Sequence, residues 1–594
     1  MVPTEATCTN SSRRSYKLDK VCLRRFKSCL VILFQSCLSN STMLYILLLG
    51  ICLGQQLVVY NVGLLPSEFI TVLEGRDNRN FKVLLIKAFA LIFSAAIYKS
   101  LVELVSGYLY LTWRKLLTSF LHRKYFFKST FYRVNVLKTE IDNVDQRISQ
   151  DVNRFCLQLS DISPKIVISP LVIIYYSIQC FNSTGYVGPF VIYTYFVVGT
   201  IINKLIMSSI VNLIFRQEQC EGDFRFKLTQ IRSSAESIAL LRAGKNELQK
   251  VTTFFERLFK TQKKIIHSEL FLNFSTNLID YIGSILSYVV IGVPILSGKY
   301  NDMSVVALSA LISKNAFVSM YLISCFSTLI DLSSQVTDLC GYVHRIGELI
   351  EVLKLQKRWF QTRHIQEIND EFEGGILLSL KNITYTAPNS LQILVSDLSL
   401  DIKRNKNILI TGNTGSGKSS LLRILAGIWK PESGIIQQSF VSEVTNVLFL
   451  PQKPFLTNGS LLDQVVYPVL RSSIQDYELT RDNVEKALEA VDLLHLIERV
   501  GDIDVAPEWC WADNLSPGEI QRISFARLFY HEPVLAFLDE ATSALGIIEE
   551  ECFYVYCAQL EITVVSVAHR ETLRRFHDLW LNINGDGTWD YTNL

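Results

Sequence analysis

The stretch Asn407-Ile-Leu-Ile-Thr-Gly-Asn-Thr-Gly-Ser-Gly-Lys-Ser-Ser420 decides the fold of the second half of the chain. A short apolar run leads into a glycine-rich turn, and a helix-like pattern follows to Ile428, which is the order of strand, loop and helix in a phosphate-binding loop. Glycines allow backbone N–H groups to converge on phosphate oxygens at a helix N-terminus, and the Lys418 ammonium neutralises phosphate charge. We therefore predict an α/β nucleotide-binding domain of the P-loop type, with ATP bound by Gly412, Asn413, Thr414, Gly415, Ser416, Gly417, Lys418, Ser419 and Ser420.

Two carboxylates follow another apolar run further along the chain. Residues 534–538 are apolar throughout, and Asp539 and Glu540 come directly after them. Runs of this kind indicate strands that are buried on both faces of a parallel sheet. One carboxylate at such a strand end can orient Mg²⁺ (Asp539), and its neighbour can polarise an attacking water (Glu540). His569, after a third apolar run, is a candidate hydrogen-bond donor to a γ-phosphate.

The segment Leu515-Ser-Pro-Gly-Glu-Ile-Gln-Arg522 narrows the class of P-loop protein. It resembles the signature of ABC transporters, in which a serine hydroxyl and glycine amides at a helix N-terminus bind the γ-phosphate of a nucleotide held by the opposite subunit. The resemblance implies that Ser516 and Gly518 bind nucleotide.

The same resemblance assigns roles to residues outside the signature. Gln452, in Leu450-Pro-Gln-Lys-Pro454, falls where this family keeps its Q-loop, and His569 falls at the switch histidine. Gln452, Glu540 and His569 are therefore the candidate catalytic residues. The implied Mg²⁺ ligands are Ser419, Gln452 and Asp539.

The sequence departs from the common family pattern in three places. Pro517 and Glu519 replace a glycine and a glutamine of the usual signature, and Ser543-Ala-Leu-Gly546 lacks the aspartate of the usual D-loop. The aromatic residue that stacks on adenine in this family is also absent from its place, which Ala387 takes. Tyr385, two residues earlier, is the substitute that we expect to contact the adenine.

The composition assigns much of the remaining chain to a membrane. Of the 594 residues, 49% are hydrophobic and only 19% charged, against about 25% charged in soluble domains. Lys and Arg (58) nearly balance Asp and Glu (56), so the chain lacks the excess of positive charge that is typical of nucleic-acid-binding proteins. The 13 cysteines include no C-x-x-C pair, and several lie in apolar stretches, which favours buried thiols over a zinc site.

Four long apolar runs occupy the first half, and each of the last two is long enough for two membrane spans. Breaks at 183–185 and 297–302 divide these two runs into tight hairpins. We therefore predict six α-helical spans embedded in a lipid bilayer, from the runs 42–65, 82–112, 163–213 and 275–332.

The basic residues predict the topology of these spans. Loops 114–162 and 214–274 are long and carry nine and eleven Lys or Arg, so the positive-inside rule places both loops, and both termini, in the cytosol. The apolar run 29–37 is too short to span and predicts an interfacial helix, with a flexible cytosolic tail as the alternative. The predicted domains are an arm (1–40), a transmembrane domain (41–355), a linker (356–375) and the nucleotide-binding domain (376–594).

One six-span domain followed by one nucleotide-binding domain resembles an ABC half-transporter of the exporter type. That resemblance implies a homodimer formed through both domains, because each ATP site takes parts from two subunits. More narrowly, nearly the whole chain resembles subfamily D, and within it the lysosomal branch that transports cobalamin (vitamin B12). Besides the signature, the segments that carry this resemblance are Ile141–Asp151, Glu221–Phe226, Gly283–Val289 and Ser313–Phe317.

The resemblance implies that ATP hydrolysis moves cobalamin from the lysosomal lumen to the cytosol. It places the chain in the lysosomal membrane, with the endoplasmic reticulum as a stage on the way, and it adds a multi-span lysosomal membrane protein as a candidate partner. Within segment 141–151, Asp142, Asp145, Arg147 and Asp151 either form a solvated helix face or belong to the contact that transmits ATP-driven closure to the spans.

Two alternatives remain at this point. One is the transport of acyl-CoA or fatty acids by the peroxisomal relatives. The other is a membrane regulator that binds ATP without transporting a substrate, which the altered D-loop and signature favour. The intact Lys418, Glu540 and His569 argue against the regulator.

Overall fold

The computed structural model describes residues 20–36, 38–137, 141, 143–359, 365–367, 375–388, 390, 392–439, 445–474 and 476–594. Two compact units divide the chain: the first comprises Met1–Tyr125 and Asp142–Val352, and the second comprises Phe126–Ile141 and Leu353–Leu594. The predicted linker at 356–375 lies largely outside the described residues. The first half of the predicted arm, residues 1–19, also lies outside them.

Helices make up the described part of the chain up to residue 359. π-helical turns at Arg133–Leu137 and Arg147–Asp151 interrupt the region between the third and sixth helices. The helices are α1 (Lys20–Leu33), α2 (Asn40–Glu74), α3 (Asn78–Tyr125), α4 (Thr130–Tyr132), α5 (Val144–Gln146), α6 (Val152–Thr184), α7 (Val187–Ser233), α8 (Ala235–Leu240), α9 (Gly244–Leu296) and α10 (Val305–Trp359).

The prediction of six spans agrees with these helices. Among the described residues, five segments are long and apolar enough to cross a bilayer: Asn40–Glu74, Asn78–Tyr125, Val144–Thr184, Gly244–Leu296 and Val305–Leu332. A shorter apolar stretch, Val187–Ile202 in α7, lies where the sequence predicts the fourth of six spans, and its crossing of the membrane stays a prediction. The two predicted hairpin breaks are also confirmed, because α6 ends at Thr184 with Gly185 as its C-cap and the segment after Leu296 separates α9 from α10. Large apolar side chains such as Ile86, Phe89 and Phe93 are exposed along α3, a surface that lipid would cover.

The predicted interfacial segment of the arm overlaps α1. This helix buries Cys22, Cys29 and Leu33 within the first unit. Its location at a membrane interface stays a prediction.

The loop that the sequence predicts to be the first cytosolic one contains buried charges, which contradicts a fully solvated face. Arg147 is only 3% exposed and donates hydrogen bonds to Glu348 (2.8 Å) and to the backbone oxygen of Arg345 (2.9 Å). Asp151 is also buried and accepts a 2.6 Å bond from Arg345. Asp145 is exposed, and Asp142 lies outside the described residues.

The described residues of the second unit form two sheets. One has the strand order β1-β5-β2-β3, and the other has the order β10-β9-β4-β8-β7-β6, in which all neighbours are parallel except β10 and β9. The strands are β1 (Ile365–Glu367), β2 (Ile376–Thr386), β3 (Ile393–Lys403), β4 (Ile408–Gly412), β5 (Ser433–Gln438), β6 (Val447–Leu450), β7 (Leu535–Asp539), β8 (Thr563–Val567), β9 (Leu579–Ile583) and β10 (Trp589–Asn593).

Seven helices accompany these sheets in the described residues: α11 (Lys418–Leu425), α12 (Leu461–Val466), α13 (Tyr477–Ala490), α14 (His495–Val500), α15 (Trp511–Asn514), α16 (Pro517–His531) and α17 (Ile547–Gln559). The predicted apolar strands are confirmed as β4, β7 and β8, and every residue of β8 is buried. In the parallel sheet β8 lies between β4 and β7, so the residues that follow these three strands meet at one edge.

Candidate ATP-binding site

The phosphate loop begins where β4 ends. Gly412 has φ +142°, and a Cβ atom there would lie 2.2 Å from the backbone oxygen of Ile583, so the position requires glycine. Lys418 folds back over the loop and donates from Nζ to the backbone oxygens of Gly412 (2.8 Å) and Asn413 (2.9 Å). Burial lowers the pKa of Lys418, and the nearby carboxylates of Glu540 and Asp539 partly offset that effect. Its ammonium is thereby placed within the loop that is expected to hold phosphate.

The oxygen ligands expected for Mg²⁺ lie side by side. Ser419, in the first turn of α11, donates a 2.9 Å hydrogen bond to Oδ1 of Asp539 at the end of β7. Burial raises the pKa of Asp539, because the ionised carboxylate is costly in this largely covered position. A hydroxyl and a carboxylate are the hard oxygen donors that Mg²⁺ prefers, and a cation here would offset the desolvation of Asp539. These residues therefore fit Mg²⁺.

The three candidate catalytic residues also meet at this edge of the sheet. Gln452 donates from Nε2 to Oε2 of Glu540 at 2.7 Å, and Nε2 of His569 lies 3.4 Å from Oε1 of the same carboxylate. Glu540 has φ +50°, a left-handed conformation that is uncommon for a residue with a side chain. The backbone N–H of Glu540 donates to Val567, the last residue of β8, at 3.0 Å. The neighbouring strand therefore supports this strained position.

The structure contradicts the expectation that Tyr385 stacks on adenine. Its ring is completely buried in the core between the two sheets, and its hydroxyl donates a 3.2 Å hydrogen bond to the backbone oxygen of Gly417. A stacking residue needs an accessible ring face, which Tyr385 does not have. From β2, its hydroxyl instead supports the backbone of the phosphate loop at Gly417. Only the three-dimensional structure reveals this contact.

The signature segment begins α16 with a capping box. Ser516 is the N-cap, Pro517 occupies the first helical position, and the Glu519 carboxylate caps the backbone N–H of Ser516. Proline is well suited to the first position of a helix, because its fixed φ matches the helix and no hydrogen bond is lost there. The replacement of glycine by Pro517 is therefore compatible with the helix start, and Ser516 and Gly518 lie at the N-terminus as expected.

Sequence reasoning did not identify the link between the signature helix and the D-loop. Gln521 is buried, donates to the hydroxyl of Ser543 at 3.0 Å and accepts from the backbone N–H of Ala544 at 2.8 Å. This glutamine holds the D-loop backbone although the usual D-loop aspartate is missing. The quoted signature contained Gln521, but nothing in the pattern pointed to its partner.

A second contact that the sequence did not reveal joins the predicted first cytosolic loop to the nucleotide-binding fold. Residues Phe126–Ile141 belong to the second compact unit. Within it, the indole N–H of Trp429 donates a 3.0 Å hydrogen bond to the hydroxyl of Tyr132 in α4. The loop between the second and third spans thus packs with the domain that carries the phosphate loop.

Comparisons with known proteins agree with this architecture. Residues 29–296 match the family described as ABC transporter transmembrane region 2, and residues 395–543 match the family described as ABC transporter. The chain is 45% identical to the human protein named lysosomal cobalamin transporter ABCD4, over 97% of each chain, and 44% identical to its mouse counterpart over the same shares. It is 28% identical to the rat ATP-binding cassette sub-family D member 3, over 97% of this chain and 90% of the relative.

A solved structure has the same fold. The chain is similar to a bacterial Atm1-family ABC exporter with ATP bound, with a TM-score of 0.71 over 94% of this chain and 96% of the other, at 15% identity. The order of domains, the phosphate loop and the signature agree with the family matches. The chain therefore belongs to subfamily D of the ABC transporters, as a half-transporter that carries one transmembrane region and one ATP-hydrolysing domain.

Proposed function

We propose that two copies of this chain form a lysosomal transporter that hydrolyses ATP to move cobalamin from the lumen to the cytosol. The 45% identity to a lysosomal cobalamin transporter over nearly the whole chain carries the proposal of substrate and location. The cluster of Gln452, Glu540 and His569 supports the ATPase half of the proposal. The predicted domain boundaries, with the spans at 41–355 and the nucleotide-binding domain from 376, belong to the same proposal.

In this proposal each nucleotide lies between the phosphate loop of one subunit and the signature of the other. Lys418 binds β- and γ-phosphate oxygens, and Ser516 and Gly518 bind the γ-phosphate of the nucleotide on the opposite subunit. The residues that would hold Mg²⁺ are Ser419, Asp539 and Gln452. When bound, the ion neutralises charge that develops on the phosphate oxygens.

Glu540 is the proposed general base. Its carboxylate accepts a proton from the attacking water, while His569 and Gln452, on its two sides, orient it and respond to the γ-phosphate. The loop that contains Tyr132 then relays closure of the nucleotide-binding domains to the spans. A multi-span lysosomal membrane protein completes the proposal as a partner that sets location, which co-purification from lysosomes tests.

Transport by purified protein tests the proposal directly. The full chain is reconstituted in proteoliposomes, and ATP-dependent movement of labelled cobalamin and of a labelled acyl-CoA is measured in parallel, with Glu540→Gln as the control. Cobalamin movement that the variant loses supports the proposal and gives the direction of transport. Movement of acyl-CoA alone would favour the alternative of an acyl-CoA transporter. ATP hydrolysis without movement of either compound would favour a membrane regulator that transports no substrate.

A further inference from the structure

The hydroxyl of the signature serine is already hydrogen-bonded within its own subunit. Ser516 donates from Oγ to Oε2 of Glu519 at 2.7 Å, and its backbone N–H donates to the same oxygen at 2.8 Å. The Ser516 Oγ in turn lies 3.3 Å from the backbone nitrogen of Glu519, from which it accepts. Glu519 stands where the usual signature has a glutamine. A carboxylate therefore holds the side chain that is expected to bind the partner's nucleotide.

A serine hydroxyl has one proton, so it can donate one strong hydrogen bond at a time. If Ser516 donates to a γ-phosphate oxygen, its bond to Glu519 must break, whereas the backbone bond to Glu519 can remain. Hydrogen bonds to a charged acceptor are about twice as strong as those between neutral groups. Nucleotide binding across the dimer therefore competes with a charge-assisted bond that a glutamine would not form.

Glu519 also places negative charge beside the expected phosphate. Burial alone would raise the pKa of Glu519, but the bonds from Ser516 and from His495 outweigh it and lower the pKa below its usual value, so the side chain is ionised at neutral pH. The side chain is only 17% exposed, and Nε2 of His495 lies 3.3 Å from Oε1. Arg522, three residues later on the same helix, pairs with Asp492 at 3.6 Å and with Glu549 at 4.0 Å.

We propose that Glu519 is a positioning residue that holds the Ser516 hydroxyl until the partner's nucleotide displaces it, and so raises the ATP concentration needed to close the dimer. The inference rests on the proposed function, because it assumes that Ser516 binds nucleotide across a homodimer. It goes beyond that function because it states that one carboxylate, that of Glu519, sets the ATP concentration at which the dimer closes.

The chain offers a matched control for the test. At the start of α12, Ser460 and Asp463 form the same kind of capping box, with Ser460 donating from Oγ to Oδ2 of Asp463 at 3.0 Å and from its backbone N–H at 2.8 Å. Ser460 is buried and outside the signature. Glu519→Gln and Asp463→Asn each replace a capping carboxylate by the amide of the same shape, but only the first concerns Ser516.

The experiment measures ATP turnover by the purified full-length chain in lipid nanodiscs as a function of ATP concentration, with thermal stability measured beside it. Glu519→Gln is expected to lower the half-saturating ATP concentration about 3- to 10-fold, because a charge-assisted bond is replaced by a neutral one. Asp463→Asn is expected to leave this concentration unchanged, while both variants lose a similar small amount of stability. In a Ser516→Ala background, the effect of Glu519→Gln on the half-saturating concentration should shrink to the part that comes from removing negative charge beside the phosphate.

Three results would overturn the inference: no change in the half-saturating concentration for Glu519→Gln, the same change for Asp463→Asn, or a change that is undiminished in Ser516→Ala. ATP-driven closure of the Glu540→Gln variant, followed by the distance between spectroscopic labels on the two nucleotide-binding domains, gives a second measurement that needs no hydrolysis. If the wild-type chain hydrolyses no ATP, the proposed function fails. The closure measurement then still decides whether Glu519 sets the threshold.

Discussion

Gln452 donates a 2.7 Å hydrogen bond from its side-chain amide to Oε2 of Glu540. The other carboxylate oxygen of Glu540 faces Nε2 of His569 at 3.4 Å. Two side chains that follow different strands, β6 and β8, therefore meet a third that follows β7, and this convergence is a consequence of strand order. The amide oxygen of Gln452 takes no part in the bond to Glu540, so the same side chain can join Glu540 to the proposed Mg²⁺ site.

The first prediction concerns Glu540→Gln. If Glu540 is the general base, the rate of ATP hydrolysis should fall at least about 100-fold, because the amide cannot accept the proton of the attacking water. ATP-driven closure should persist, since glutamine has the same shape and removes one negative charge near the phosphates. Phosphate release in nanodiscs measures the first effect, and the distance between labels on the two nucleotide-binding domains measures the second. Glu489→Gln, on the exposed side of α13, is the control and should change neither.

Hydrolysis that survived Glu540→Gln would exclude this residue as the base.

The second prediction concerns the contact between Tyr132 and Trp429. Tyr132→Phe removes the acceptor of the 3.0 Å bond from the indole while leaving the aromatic ring in place. A neutral hydrogen bond contributes about 1 kcal/mol. The equilibrium constant for packing of the Tyr132 loop against Trp429 should therefore fall about fivefold. We expect ATP hydrolysis to continue and the amount of cobalamin moved per ATP to fall. Paired transport and hydrolysis assays in proteoliposomes measure this ratio.

Tyr591→Phe, on β10, removes a hydroxyl from an exposed tyrosine of the same domain and should leave the ratio unchanged. An unchanged ratio for Tyr132→Phe as well would show that this bond does not transmit closure.

The sequence predicted the features that depend on local pattern. Composition and periodicity directly determine such features. The sequence therefore predicted the strand, loop and helix around Lys418, the fully apolar strands and the breaks between spans. The error at Tyr385 has a physical cause: β2 turns its side chain into the core on the same face as Ile383. The alternation of Ile383 and Tyr385 with two threonines indicated that face, but the expectation of an adenine-stacking aromatic residue took precedence over it. The bonds of Gln521 to the D-loop and of Tyr132 to Trp429 join residues that the fold alone brings together.

The third prediction concerns the attachment of α1, which the sequence also could not reveal because its partner lies more than 300 residues away. Arg25 donates to both oxygens of Glu351, at 3.3 and 2.7 Å, and to the backbone oxygen of His344. Its stem fills the space over Gly347, where a Cβ atom would lie 2.6 Å from it. Arg25→Ala should therefore release α1, and hydrogen–deuterium exchange of the amides of Lys20–Leu33 should become faster.

Arg24→Ala is the matched control. Arg24 approaches the same Glu351 at 3.4 Å, but its side chain is 71% exposed, against 16% for Arg25. Exposed ion pairs contribute about 0–1 kcal/mol, so exchange in α1 should change little. Equal acceleration by the two variants would mean that general loss of charge, and not the partly buried pair of Arg25 and Glu351, releases the helix.

The fourth prediction concerns the pH dependence of stability, to which a buried histidine contributes. His577 is buried against the Ser566 hydroxyl at 3.0 Å and the backbone oxygen of Leu573 at 2.7 Å, and Ser566 in turn contacts the Tyr554 hydroxyl at 2.8 Å. Burial lowers the pKa of His577, although the Leu573 carbonyl and Asp578 oppose this effect. Because the folded-state pKa is below the unfolded value of about 6.5, the unfolded chain takes up a proton first as the pH falls through that value. Stability is therefore complete above about pH 6.5 and is lost below it, by at most about 1.4 kcal/mol per pH unit from this residue.

Replacing His577 by glutamine should flatten this dependence. We expect the apparent melting temperature of His577→Gln to be lower than that of the wild type at about pH 7.5, because the buried contacts are disturbed, but to fall less between about pH 6.5 and about pH 5.5. The slope should decrease without vanishing, since burial also lowers the pKa of His531. His267→Gln, an exposed position on α9, should keep the wild-type slope. If His577→Gln and His267→Gln have equal slopes, proton uptake by His577 does not contribute to acid destabilisation.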